Sequence, residues 1–136
     1  MKKEKSCGIV VFDDDNVLVV RMLDGHYGFP KGHVENNETE EETAIREVKE
    51  ETNCDVKIIT GFREVITYSP KEGVMKDVVY FVGNPITKEL LSQEGEISEV
   101  KFLPVNEVLD VITYNDERNM FKKARDWYLG GKYDRN

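Results

Sequence analysis

Cysteine, histidine, basic charge and long apolar runs are all scarce in this chain. Two cysteines in 136 residues, Cys7 and Cys54, are too few for a disulfide framework and read as reduced core thiols. With only two histidines beside them, no zinc-type spacing arises. No apolar run approaches the ~20 residues of a membrane span. The opening MKKEKSCGIVVF sets basic residues before a short apolar run, but an acidic triplet at 13–15 interrupts it and no small-residue cleavage site follows. Neither a signal peptide nor a membrane partner is therefore expected, and the protein is expected to be cytoplasmic. A net charge of -8 argues against a basic groove for duplex nucleic acid. No serine or cysteine stands in a recognisable nucleophile context.

The chain is instead rich in acid, and the acid is concentrated. Residues 35–51 hold eight glutamates against Arg46 and Lys49. Such a run ordinarily makes a solvated helical face. Its spacing says more. In REVKEET, Glu47, Glu50 and Glu51 fall at i, i+3 and i+4, which share one side of a helix within about one turn. Each such like-charge pair costs an exposed helix about 0.2–0.5 kcal/mol. At an effective dielectric near 20, two carboxylates ~6 Å apart repel by roughly 3 kcal/mol, and a cation between them reverses that sign.

Around this helix the pattern alternates between strands and turns. SCGIVVF and NVLVVRM predict two strands across a DDDN turn. GHYGFPKGH predicts a loop. Thr39 followed by Glu42 forms a capping box, so a helix is expected to start there, with Ala44, Ile45 and Val48 as its apolar side and Asn53 as its stop. VKIITGF, EVITY, DVVYFVG and VKFLP predict four more strands, with SPKEGVMK as a polar loop. From about Val105 one or two helices are expected, with Val108, Leu109, Ile112, Phe121, Ala124, Trp127 and Leu129 as core candidates. The strand-led order without regular βαβ alternation predicts an α+β layered domain over residues 1–136, its tail mobile from about residue 130.

A hard divalent cation takes oxygen ligands, usually a few carboxylates with water and substrate phosphates. Glu47, Glu50 and Glu51 supply such oxygens from one rigid support. Arg46 cannot ligate a metal and is suited to orienting a neighbouring glutamate. Gly32, where the chain leaves the loop, lets a backbone carbonyl approach a bound ion.

Residues 32–54 resemble the Nudix box, G-x5-E-x7-R-E-U-x-E-E-x-G-U with U a bulky aliphatic residue. Gly32, Glu38, Arg46, Glu47, Val48, Glu50 and Glu51 match, while Asn53 and Cys54 depart from the pattern. The resemblance implies a Nudix fold, an α/β/α sandwich around a mixed central sheet flanked by the Nudix helix, and a hydrolase that cleaves a nucleoside diphosphate linked to another group. It implies Mg²⁺ or Mn²⁺ held by Glu47 and Glu51, with Glu50 as a third ligand or acting through water. Glu38 would tie the loop to the helix.

Beyond the box, SCGIVVF, GHYGFPKGHVE, GFREVITY, MKDVVYF and EISEVKFLPVNEV are similar to the asymmetrically cleaving diadenosine tetraphosphate hydrolases of the animal and bacterial type. That likeness implies that His26, Lys31, Lys76 and Tyr80 bind the polyphosphate chain, and that Glu96 is a further metal ligand or the general base. Tyr68 and Tyr114 would stack on adenine. Glu50, Arg46 and Glu96 are thus the residues expected to carry the catalytic step, on a nucleoside polyphosphate partner. Each residue also has a plainer reading: His26 and Lys31 as solvated loop residues, Tyr80 as core, Tyr68 and Tyr114 as structural. His33 receives no role. Nucleoside triphosphate pyrophosphohydrolases of the oxidised-nucleotide sanitising type and RNA 5′ pyrophosphohydrolases are the alternatives within enzymes. A non-catalytic Nudix-fold nucleotide-binding module is the alternative in another class, and such modules usually lose box glutamates that this chain keeps.

Overall fold

A computed structural model describes the backbone of residues 1–134 and the side chains of residues 1–131. Seven strands are arranged in the order β1 (Lys2–Asp13), β2 (Asn16–Met22), β3 (Tyr27–Gly28), β4 (Lys31–His33), β5 (Val56–Lys71), β6 (Val74–Pro85) and β7 (Ile97–Pro104). The helices are α1 (Glu40–Thr52), α2 (Val105–Val111) and α3 (Asn115–Asp134). Along the sheet the order is β3-β2-β1-β6-β5, with β4 added to β1 and β7 to β2. The sheet is mixed: β1 and β6 run parallel from Lys2↔Val74 to Val11↔Gly83, and the other pairings are antiparallel.

β1 is central because both of its faces are apolar. Cys7, Ile9 and Val11 point to one layer, where Ala44 and Val48 of α1 cover them. Val10 and Phe12 point to the other, where Val108, Ile112, Phe121 and Ala124 from α2 and α3 pack. A strand buried on both faces reads as a continuous apolar run, as IVVF does, and not as an alternation. Helices thus lie on both sides of a mixed sheet, the α+β arrangement expected of a Nudix fold. No helix among the described residues is long and apolar enough to cross a membrane.

α1 begins and ends where its sequence signals stand. Thr39 accepts from the Glu42 N–H, and the Glu42 side chain accepts from the Thr39 N–H. Asn53 closes the helix in the left-handed conformation at φ 65°, which Asn tolerates better than most residues because its short polar side chain bonds locally.

Three expectations change. VKIITGF and EVITY form one strand, β5, whose pairing with β6 breaks between Ile59 and Glu64. Gly61 sits in that break at φ +124°, and a Cβ there would lie 3.0 Å from the Trp127 ring, so the bulge makes room for α3. The SPKEGVMK loop contracts to a turn at Glu72-Gly73, with Gly73 at φ +80°. GHYGFPKGH is not wholly loop: β3 and β4 flank Pro30, whose carbonyl accepts from the Ile9 N–H at 3.3 Å. α3 continues through Gly130 and Gly131 to Asp134. The mobile tail expected from about residue 130 falls partly on this helix and partly on residues 135–136, which lie outside the described residues.

Candidate active site

α1 presents its acidic face toward β4, and Arg46 is the hub. Its Nε donates to Glu38 Oε2 at 2.6 Å and its Nη2 to Glu38 Oε1 at 3.0 Å, a fork on one carboxylate. Nη1 donates to Glu47 Oε1 at 2.8 Å and to Glu50 Oε1 at 3.0 Å. Nη2 also reaches the His33 carbonyl at 2.9 Å. Arg46 therefore positions carboxylates and does not face the cavity described below. Glu38 also accepts from the Glu35 N–H and the Thr43 hydroxyl. These donors, Arg46 foremost, hold its carboxyl down to about 2. Glu38 ties the loop to the helix.

Glu47 and Glu51 are in the opposite state. Burial pushes Glu51 up to about 8, the neighbouring Glu47 charge adds to it, and a 3.0 Å hydrogen bond from the Lys31 N–H only partly opposes it. Glu47 is also raised, by burial first, against the Arg46 hydrogen bond. Its carboxylate lies over Gly32, where any Cβ would overlap it. Glu50 is exposed. Glu96 occupies an exposed turn before β7, near enough that its charge also raises Glu51. That turn is fixed to the last turn of α1 by the Gln93 N–H on the Glu51 carbonyl at 3.2 Å.

Among the described residues, no three acidic, histidine or cysteine side chains are already drawn together as a cation site. Arg46 holds Glu47 and Glu50 to itself, and Glu51 bonds to the Lys31 N–H. The donor chemistry nevertheless fits a hard divalent ion. Glu47 and Glu51 are oxygen donors partly stripped of water, and Gly32 keeps the space beside Glu47 clear of a side chain.

Beside the Lys31–Glu51 contact opens a cavity of about 500 Å³. Val20, Met22, Phe29, Ile66 and Val78 give it apolar walls, and Lys31, Glu51 and His26 stand at its polar edge. Tyr68 and Tyr114 line it while remaining 38% and 51% exposed. His26 bonds through Nδ1 to Asp24 and lies 5.3 Å from the Tyr114 ring.

Five of the six expected substrate-binding residues thus border one space: His26, Lys31, Tyr68, Tyr80 and Tyr114. Lys76 does not line it. It is 9% exposed, pairs in register with Tyr68, and has its pKa lowered by burial and by the nearby Lys31 charge. Tyr80 is fully buried, and its hydroxyl donates to Glu117 at 3.0 Å. Glu117 and Asp116, in the first turn of α3, also line the cavity and were missed from sequence. Acid in a first helical turn reads as an ordinary complement to the helix dipole, so nothing local marks it.

Known proteins agree with this architecture. The NUDIX domain model matches residues 2–124. The chain belongs to the Nudix family. It is 33% identical over 93 residues to the asymmetrical bis(5′-nucleosyl)-tetraphosphatase of Mus musculus, covering 57% of this chain and 63% of that one. It is 27% identical over 112 residues to an RNA pyrophosphohydrolase of Nitratiruptor, covering 74% and 72%. It spans only part of several curated relatives, 40% of the length of two others. A crystal structure of a C. elegans Ap4A hydrolase binary complex superposes with a TM-score of 0.82 at 24% identity, covering 93% of this chain and 98% of that one, a likeness of fold.

Proposed function

We propose that the protein hydrolyses a dinucleoside polyphosphate, splitting diadenosine tetraphosphate into ATP and AMP. The observation that carries this reading is the junction at Lys31 and Glu51. There an apolar compartment edged by two exposed tyrosines meets an acidic helix face suited to a cation. A cavity of about 500 Å³ is of the size that takes a small ligand, here one nucleoside end. The likeness to the mouse tetraphosphatase supports the choice of substrate.

Mg²⁺ or Mn²⁺, held by Glu47 and Glu51 with Glu50, Glu96 and the Gly32 carbonyl as further donors, would supply Lewis acidity at a phosphoryl oxygen and at water. The chain's own residues do the rest. Tyr68 and Tyr114 hold the base by stacking. Lys31, with the Lys76 charge near it, neutralises phosphate oxygens, and His26 at the polar edge of the cavity adds a hydrogen-bonding group. Arg46 keeps Glu47 and Glu50 in place. Water oxygen bonds to phosphorus as a bridging P–O bond breaks, and the water's proton passes to one of the exposed carboxylates, Glu50 or Glu96.

A second reading, pyrophosphate removal from an RNA 5′ end, is favoured by the Nitratiruptor relative. Chromatography after incubation with diadenosine tetraphosphate and Mg²⁺ separates the two readings. Equal ATP and AMP support the first. No cleavage of the dinucleotide, with release of pyrophosphate from triphosphate-ended RNA, supports the second.

A further inference from the structure

The cavity has many apolar faces and few groups that could tell one base from another. Stacking on Tyr68 and Tyr114 is tolerant, because every base has a π-face. Glu117 is different. It is 9% exposed and lines the cavity from the start of α3, three residues past Tyr114. Its Oε2 accepts from the fully buried Tyr80 hydroxyl at 3.0 Å. Across the cavity wall, a Cβ placed on Gly28 would lie 3.0 Å from Oε2 and 3.4 Å from Oε1, so only a glycine leaves the carboxylate this room.

A carboxylate offers about four acceptor positions. Tyr80 uses one, and a backbone hydrogen bond from Phe29 uses another. Acceptor capacity is therefore left over at the wall of a compartment otherwise lined by Val20, Met22, Ile66 and Val78. A buried acid held this way costs stability unless something donates to it. Burial raises Glu117 above the ordinary carboxylate value, and the nearby Lys31 charge and the Tyr80 hydrogen bond only partly oppose it.

We propose that Glu117 is the base-reading residue of the cavity. Its free acceptor positions take an exocyclic amino group of the nucleobase, so that amino-bearing purines are selected over purines without one. The inference rests on the reading that the cavity holds a nucleoside end, and it goes further by naming the specificity determinant. Charge sets the sense of the choice: a carboxylate rewards a base N–H donor and repels a carbonyl oxygen.

Binding, not turnover, tests it. The dissociation constants of ATP and of the triphosphate of unsubstituted purine riboside, which lacks only the amino group, are measured by calorimetry in EDTA so that nothing is cleaved. The full chain is expected to bind ATP about tenfold or more tightly than the analogue, as for a hydrogen bond to a charged group. In Glu117→Gln the Tyr80 hydroxyl claims the amide oxygen and the amide NH₂ faces the base, so the ratio is expected to fall to within about twofold. The double variant Glu117→Leu/Tyr80→Phe removes both partners of the buried bond, leaves neither orphaned, and is expected to lose the ratio in the same way.

A ratio near one in the wild type overturns the proposal, whatever the variants do. A ratio that survives in either folded variant overturns it as well. Cleavage of diadenosine tetraphosphate without the tenfold preference would leave the hydrolase reading standing and remove the role of Glu117. The preference without cleavage would do the reverse.

Discussion

The two faces of the sheet carry acid in opposite ways. On the α1 face, Glu38, Glu47 and Glu50 gather round one guanidinium, each within 3.0 Å of an Arg46 nitrogen. On the α3 face, Glu117 lies in an apolar wall with Tyr80 as its side-chain donor. The first arrangement is dense in charge and comes almost wholly from one stretch of chain. The second is sparse and joins a strand, a loop and a helix remote from one another in sequence. Donors outweigh burial at Glu38, whose carboxyl is held down to about 2, whereas burial wins at Glu47, Glu51 and Glu117, which hold their protons more tightly. The box face is thus built to handle charge, and the cavity face to discriminate among weakly polar groups.

The sharpest way to break this contrast is Glu51→Gln, because Glu51 stands where the two faces meet. The change removes a buried carboxylate but keeps an acceptor for the Lys31 N–H. Turnover of diadenosine tetraphosphate is expected to fall by about 10²–10³-fold, the range for loss of one electrostatic contributor to the transition state, here a principal donor to the cation. The thermal midpoint should hold or rise, since the anion is poorly solvated there. Wild-type turnover in this variant would remove the acidic face from the mechanism. Chelation with EDTA should abolish the same turnover without unfolding the chain.

Gly32→Ala comes next. A Cβ at Gly32 would overlap the Glu47 carboxylate, so β4 or Glu47 must shift. A displacement of about 1 Å costs roughly 10²-fold when it disturbs catalytic geometry. The loss should appear in kcat more than in KM, because neither Gly32 nor Glu47 lines the cavity. Equal losses in both would show that the two faces are not separable.

Tyr80→Phe probes the cavity face alone. It leaves Glu117 buried with one donor fewer, at an expected cost of about 1–3 kcal/mol in denaturant unfolding. A loss below about 0.5 kcal/mol would mean that water replaces the hydroxyl and that the wall is wetter than its lining suggests.

The contrast also explains what could be read from sequence. α1 was legible to its ends because its determinants are local: Thr39 with Glu42 at one end, Asn53 at the other, and Ala44 and Val48 between. The loop-tying role of Glu38 follows from its box position and is carried by Arg46, eight residues on. The cavity was only partly legible. Likeness to a family pointed to His26, Lys31, Tyr68, Tyr80 and Tyr114, but not to Glu117, whose meaning depends on Tyr80 and Gly28 arriving from elsewhere. β5 misled for the same reason. Its apparent break into two strands at Gly61 is a bulge shaped by Trp127, a contact that no local pattern contains.

The smallest expected effect is a pair of pH slopes with opposite signs. Glu38 has its carboxyl held at about 2, below its ordinary 4.5, by Arg46 and the Glu35 N–H. An acid with a lowered folded pKa contributes stability above its unfolded value, and that contribution is lost as pH falls from about 4.5 toward about 2. Glu117 is raised above 4.5 by burial. The folded chain there holds a proton that the unfolded chain has released, so its contribution declines as pH rises past 4.5 and through the raised value. Urea midpoints measured from pH 3 to pH 8 should show Glu38→Gln flattening only the acid limb and Glu117→Gln only the limb above 4.5. If one substitution flattened both limbs, the two acids would be coupled through the sheet and the division between its faces would fail. If Glu117→Gln left the upper limb unchanged, water or a counter-charge would be reaching that wall, and the apolar setting that makes Glu117 a discriminating acceptor would be absent.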